Sequence, residues 1–231
     1  MTVDGNSIAD TRMRNAVVSR GISTAAPKQL ILRLIEARSL QGELLDFGAG
    51  TGDLLQACLD AGRFTRYAGT DLFPRPEHLP EPVGWHRQDL NHLLDERLGT
   101  FDVVTCCEVI EHLENPRGVF RNLWSLLKPG GTLLLTTPNC ESIRSYLALI
   151  GAGHFAAFLG KSYPAHITAL LRADLRRICS EVGFLEPDFI YTNRGGIPKF
   201  TQWTWQQFLR GFARGRLFSD NLGMVAVRPQ S

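Results

Sequence analysis

Residues 44–55 read LLDFGAGTGDLL: a short apolar run reaches Asp46, Gly48, Gly50 and Gly52 follow at every second position, and an apolar helical pattern resumes. Glycine admits the positive φ angles of a tight turn and lets a ligand lie against the backbone. The helix that follows leaves its first N–H groups unpaired. Strand, turn and helix in that order form the opening unit of an α/β sheet. The G-x-G-x-G spacing differs from the G-x-G-x-x-G that brings a helix against a dinucleotide pyrophosphate. A second apolar run ends in Asp71, about twenty residues on, where an acid can accept from ribose hydroxyls. A bare turn has no use for Asp46 at the strand tip, so the segment reads as a ligand cradle.

The rest of the chain continues the alternation. Strands are expected at 43–47, 66–71, 83–88, 101–106, 131–137, 188–193 and 223–228, and helices at 27–38, near 52–62, 115–128 and 168–182. Unbroken apolar strands separated by helices describe a parallel sheet covered on both faces. KPGG at 128–131 marks the step from a helix into a strand. With 231 residues, 44% hydrophobic and 21% charged, the chain can bury one real core, which excludes a disordered chain, a coiled coil and a collagen-like fibre. The expected organisation is a polar arm at 1–26 and one domain at 27–231, carrying inserts at 141–167 and 195–220. Cys58, Cys106, Cys107, Cys140 and Cys179 lack C-x-x-C spacing and read as reduced thiols of a cytosolic protein. The first residues carry acids and no apolar signal core, and no run reaches the ~20 apolar residues of a spanning helix.

Five segments in succession then resemble the motifs of the class I S-adenosylmethionine-dependent methyltransferases: LLDFGAGTGDLL, YAGTDLF (67–73), RQDLN (87–91), FDVVTCCEVIEHLENP (101–116) and LLKPGGTLLLTTPN (126–139). The resemblance runs from about residue 28 to about 229. It implies a Rossmann-like seven-stranded, mostly parallel sheet with helices on both faces and an antiparallel last strand. S-adenosylmethionine would be the cofactor and S-adenosylhomocysteine its product. Carried over by position, Gly48, Ala49 and Gly50 would lie under the methionine part, with Gly52 in the same loop and Asp46 near the amino group. Asp71 would take the ribose hydroxyls and Leu72 would flank the adenine. Asp89 would accept from the adenine amine, and Leu90 would donate its backbone N–H. Cys106 and Cys107 would floor the site beside the sulfonium, or would simply fill space in a buried strand.

Glu108, Glu111 and His112 stand at i, i+3 and i+4, so on a helix they would share one face. Two carboxylates and an imidazole suit a divalent cation such as Mg²⁺ or Mn²⁺, and His166 would join them from about thirty residues past the fifth strand. The pattern is similar to the E-x-x-E-H of ubiquinone-biosynthesis O-methyltransferases and of small-RNA 3′-terminal 2′-O-methyltransferases. That resemblance implies a metal that activates a substrate hydroxyl. Without metal, His112 or His166 would be the base and Glu108 would meet the cofactor end. Both readings stay open.

Formal net charge is only +2, but it is unevenly spread. From residue 189 onward Arg194, Lys199, Arg210, Arg214, Arg216 and Arg228 face one acid, Asp220, so this tail carries +5 and the remainder −3. Residues 141–167 hold an apolar stretch broken by Gly151, Gly153 and Gly160, with His154, Lys161 and Tyr163 nearby. They read as a mobile cover, a patch dipping into a membrane surface, or a buried helix pair. Residues 195–220 interleave Trp203, Trp205, Phe208 and Phe212 with Arg210, Arg214 and Arg216. Such residues grip bases and phosphates or lie in a headgroup layer, although the default for aromatics is packing on their own domain. The leading expectation is O-methylation of a small-molecule, glycan- or lipid-linked hydroxyl, in the cytoplasm or at the inner face of a membrane. The alternatives are an RNA-terminal 2′-O-methyltransferase and a cofactor-binding regulator without turnover. A nicotinamide oxidoreductase is disfavoured by the glycine spacing and the missing second nucleotide-binding half.

Overall fold

The computed structural model describes residues 25–198, 200–210 and 212–230, and of Glu96, Lys161 and Thr201 the backbone alone. All but the last two residues of the expected arm lie outside the described residues. Those two open the first helix, α1 (Ala25–Ala37), which buries Leu30, Ile31, Leu34 and Ile35 along one face. There follow β1 (Gly42–Phe47), α2 (Asp53–Ala61), β2 (Phe64–Asp71), β3 (Gly84–Arg87), β4 (Phe101–Cys107), α3 (Pro116–Ser125) and β5 (Leu127–Pro138). The chain continues through α4 (Ile143–Ala152), α5 (Arg172–Val182), β6 (Asp188–Tyr191), a small hairpin β7 (Gly196–Ile197) and β8 (Phe200–Thr204), the one-turn α6 (Trp205–Phe208), and β9 (Asn221–Val227).

Seven strands form one sheet in the order β3-β2-β1-β4-β5-β9-β6. All pairings are parallel except those of β9, which runs antiparallel to β5 and β6. This is the expected sheet, with its antiparallel last strand. KPGG falls inside β5, where Gly130 turns at φ 80°, rather than between helix and strand. The helix before it ends earlier than the sequence suggests, at Ser125. Asn115 caps that helix by accepting from the Gly118 N–H, and Pro116 fills a first-turn position where no N–H is needed.

Alternating strand residues feed two cores. Leu44, Val103, Cys107, Leu134 and Val225 pack with α1 and α2, while Leu45, Val104, Cys106, Leu133, Leu135 and Met224 pack with α3 and α5 on the other face. Each fully buried Leu or Phe contributes roughly 1.5–3 kcal/mol of transfer free energy, so the sheet is the rigid part of the molecule. From β1 the chain winds outward to β2 and β3, then returns to β4 on the opposite side of β1. Ligands of open α/β sheets bind beyond the carboxyl ends of the strands at such a reversal. Both inserts also lie at this edge, because β5 ends at Pro138 opposite Asn221 and β6 ends at Tyr191 opposite Leu222.

Candidate functional site

The turn after β1 folds back on β2: the N–H groups of Gly48 and Ala49 donate to Thr70 O over 2.8 and 3.2 Å. Gly48 has φ 79°, and a Cβ there would lie 2.4 Å from Val109 Cγ2, so the position admits glycine alone. Gly50 and Gly52 also have positive φ. Gly52 caps α2 without a side chain, which leaves the first amides of that helix facing the cradle. Lys28, on α1, reaches Asp53 at this helix start with Nζ 2.6 Å from Oδ2. No local pattern points to Lys28, because only the packing of α1 beside α2 brings it here.

Asp46 is buried and sits opposite Thr105 of β4. Burial pushes its carboxyl up to about 7, against a hydrogen bond from Thr105 Oγ1 at 2.7 Å, with the Asp71 charge adding to the rise. Asp71 is also raised by burial, and backbone N–H donors pull it back. Gly50 N–H donates to its Oδ2 over 2.8 Å and Phe73 N–H to its Oδ1 over 3.0 Å. A carboxylate offers about four lone-pair sites, so acceptor capacity remains. Beyond β3, Asp89 Oδ1 accepts from the backbone N–H and the side-chain amide of Asn91, both at 3.0 Å. Leu90 is buried in the core and Leu72 is half-buried at the end of β2. Cys106 and Cys107, expected to share a floor, point to opposite faces of β4 and into different cores, as successive strand residues must. Burial pushes the Cys106 thiol well above its ordinary range, which suits a packing residue.

The acid–histidine group is built differently from the expected helical face. β4 ends at Cys107, Glu108 adopts φ 57°, and Ile110–His112 is a single 3₁₀ turn. Glu108 therefore turns away towards β9, where Asn221 Nδ2 donates to its Oε2 over 2.7 Å. Glu111 instead joins His112 and His166, and their ligating atoms all lie within 4.8 Å of one another. The segment carrying His166 is tied to the turn, since the N–H groups of Ile167 and Thr168 both donate to Glu111 O. His112 Nδ1 donates to Ala165 O and His166 Nδ1 to Ala157 O, each over 2.8 Å. Both Nε2 atoms are thereby left as acceptors. The rings meet edge to face at 4.8 Å. Burial depresses both imidazoles, His112 to about 4, so both are neutral at pH 7. It raises both carboxyls, Glu108 to about 7 and Glu111 well above its usual range. Among the described residues, Glu108 Oε1 and Glu111 Oε1 are buried without a hydrogen-bond partner.

Two ligands fit what is built. A turn of three positive-φ glycines that leads into the uncapped start of α2, flanked by acids at the tips of β1 and β2, suits an adenosyl sulfonium with its ammonium and ribose. One carboxylate with an orphaned oxygen and two imidazoles with free Nε2 atoms suit a divalent cation. That group draws on three of the four expected ligands, since Glu108 stands apart.

A family profile described as a methyltransferase domain matches residues 20–185. The ubiquinone biosynthesis O-methyltransferase of Xanthomonas campestris pv. campestris (strain B100) is 36% identical over 176 residues, which cover 69% of this chain and 72% of that protein. Among solved structures, an S-adenosylmethionine-dependent methyltransferase from Archaeoglobus fulgidus superposes with a TM-score of 0.56 at 17% identity, covering 87% of this chain and 94% of the other. The 1,6-didemethyltoxoflavin-N1-methyltransferase of Burkholderia thailandensis, solved with S-adenosylhomocysteine, gives a TM-score of 0.58 at 17% identity, covering 89% and 79%. At these identities the structural matches speak for the fold.

Proposed function

Because the chain belongs to the S-adenosylmethionine-dependent methyltransferases, we propose that it methylates a hydroxyl oxygen of a small-molecule, glycan- or lipid-linked acceptor. The observation that carries this reading is the pair of unprotonated Nε2 atoms of His112 and His166 beside Glu111 at the carboxyl edge. The relative's printed name, an O-methyltransferase, points the same way. When bound, S-adenosylmethionine supplies an electrophilic methyl on a sulfonium.

The chain's own residues then have three tasks. Gly48, Ala49, Gly50 and Gly52 would let the methionine part lie against the backbone, Asp46 would meet its ammonium, and Lys28, held by Asp53 at the start of α2, would offer its carboxylate a positive charge. Asp71 takes the ribose hydroxyls, and Leu72, Asp89 and Leu90 border the adenine. His112 or His166 receives the acceptor's proton at Nε2, and Glu108 stands by the reacting end. An imidazole that holds a proton as weakly as His112 suits an acidic hydroxyl better than an aliphatic alcohol. That mismatch favours a second reading, in which Glu111, His112 and His166 hold Mg²⁺ or Mn²⁺ and the cation lowers the pKa of the hydroxyl. An RNA 2′-hydroxyl remains the alternative acceptor, resting on the +5 tail; it requires binding that falls steeply with salt.

The decisive experiment offers methyl-labelled S-adenosylmethionine with a panel of phenolic, sugar and lipid hydroxyl acceptors and locates the label by mass spectrometry. A methyl ether is expected. Label found on nitrogen or carbon would replace the oxygen assignment.

A further inference from the structure

Among the described residues, all exposed large apolar side chains except Leu93 and Leu185 come from two stretches, 146–171 and 200–217. Helix α4 shows why this is unusual. Its sequence IRSYLALIGA is strongly apolar, yet the one residue it buries is Ser145. Ser142 caps the helix by accepting from the Ser145 N–H, and Ser145 Oγ donates to Asn139 O, so the small polar side faces the domain. Tyr146, Leu147, Leu149 and Ile150 face outward, with Ile150 83% exposed. A helix packed on its own core does the reverse.

The second stretch behaves alike. Trp205 packs against Phe218 at 5.9 Å, as expected of a domain-packing aromatic. Trp203, Phe208 and Phe212 do not: Phe208 is 70% and Phe212 92% exposed, contrary to the default for this segment. The two stretches meet, since Arg144 of α4 pairs with Asp220 at 2.8 Å and Glu141 with Arg216 at 3.5 Å. Both arise at the carboxyl edge that holds the glycine cradle and His166.

We infer that this face, formed by α4, the hairpin β7–β8 and α6, docks on a lipid bilayer with anionic headgroups. Charge selects the partner. Within 141–167 and 194–220 the only acids in the sequence are Glu141 and Asp220, and both are already ion-paired to Arg172, Arg216 or Arg144. Arg194, Arg210 and Arg214 are exposed around the aromatics. A second copy of this face would bring like charge against like. A single-stranded nucleic acid would use aromatic faces for stacking, but Leu147, Leu149 and Ile150 have none to offer. Aliphatic and aromatic side chains that enter the acyl boundary, ringed by arginines at headgroup level, match a membrane surface. Among the described residues no helix is long and apolar enough to cross a membrane, so the contact is peripheral. Docking of this face does not depend on which atom is methylated, and it can be read without cofactor.

The test is flotation of the full chain with vesicles of phosphatidylcholine alone and of phosphatidylcholine with phosphatidylglycerol at roughly three to one, at low and high salt. Flotation with the anionic vesicles is expected, several-fold weaker with the neutral ones and weakened by salt, with a blue shift of tryptophan fluorescence from Trp203. The double variant Ile150→Ser, Phe212→Ser should lose about tenfold or more in apparent affinity, and Arg194→Gln, Arg210→Gln should lose the preference for anionic lipid. Retained S-adenosylhomocysteine binding and an unchanged Tm show that each variant is folded. Four results overturn the inference: no flotation with anionic vesicles, equal flotation of folded double variants, a dimer closed through this face in place of lipid binding, or binding of single-stranded RNA by a chain that ignores vesicles.

Discussion

Gly50 N–H donates to Asp71 Oδ2 over 2.8 Å, so the acid at the tip of β2 clamps the glycine loop beside the candidate cofactor site. One side chain thereby serves two purposes, setting the loop and presenting lone pairs to a ligand.

Asp71→Ala should weaken S-adenosylhomocysteine binding by about 10–100-fold, the ~1.5–3 kcal/mol of hydrogen bonds to a charged group. Asp71→Asn keeps the acceptor for Gly50 and should lie between. Unchanged affinity in calorimetry of both variants would refute the ribose assignment.

Gly48→Ala tests the cradle. At φ 79° with Val109 Cγ2 only 2.4 Å from the new Cβ, the variant combines backbone strain with a steric clash and should lose about 2–4 kcal/mol of stability. Thermal unfolding should show a fall in Tm of several degrees, and cofactor affinity should fall with it. A wild-type Tm would mean the turn is looser than it stands here.

Asp46 makes cofactor binding sensitive to pH. Its carboxyl in the cofactor-free protein is raised to about 7, whereas an ammonium beside it favours the ionised form. Below pH 7 binding must expel a proton, so affinity should fall by up to about tenfold per pH unit. Stability moves the other way. Between pH ~4 and 7 the folded chain holds a proton that the unfolded chain has lost, so the Asp46 contribution falls as pH rises. Asp46→Asn should flatten the affinity profile across neutrality; a wild-type profile that is already flat ends the assignment.

If Glu111, His112 and His166 hold a cation, chelation with EDTA should abolish turnover while S-adenosylhomocysteine still binds, and Mg²⁺ or Mn²⁺ should restore it. Glu111→Gln should then raise the metal concentration needed for half-activity by ten- to a hundredfold, in line with the loss of a charged ligand. Full turnover in EDTA leaves His112 and His166 as unaided bases, and replacement of each by alanine then identifies which one accepts the proton.

Much of this chain is local and could be read from its residues. Hydrophobic runs and the glycine turn follow from φ preferences and from which side chains water excludes, so β1 to β6, β9 and the cradle of Gly48, Gly50 and Gly52 stand where they were expected. The end of α3 shifted from 128 to Ser125 because Leu127 already pairs with Phe101 of β4, a contact between elements that composition does not show.

The site's second half was not local. Spacing put Glu108, Glu111 and His112 on one helical face, but the positive φ of Glu108 and the one-turn 3₁₀ segment sent Glu108 to Asn221, 113 residues away. His166 was seen as a candidate, yet its meeting with His112 and Glu111 required the segment after α4 to fold back across β4. Lys28 had no signal at all. Composition could say that α4 was apolar, but whether Leu147 and Ile150 turned inward or outward was decided by Ser142 and Ser145 docking on the sheet edge. Where the strands lie, the glycine turn and the motifs of the family were legible in the residues alone, since each is written within a short segment by hydrophobic runs and φ preferences. Which charges converge and which apolar side chains remain exposed was decided by tertiary structure, because those outcomes depend on distances between elements that no local pattern encodes.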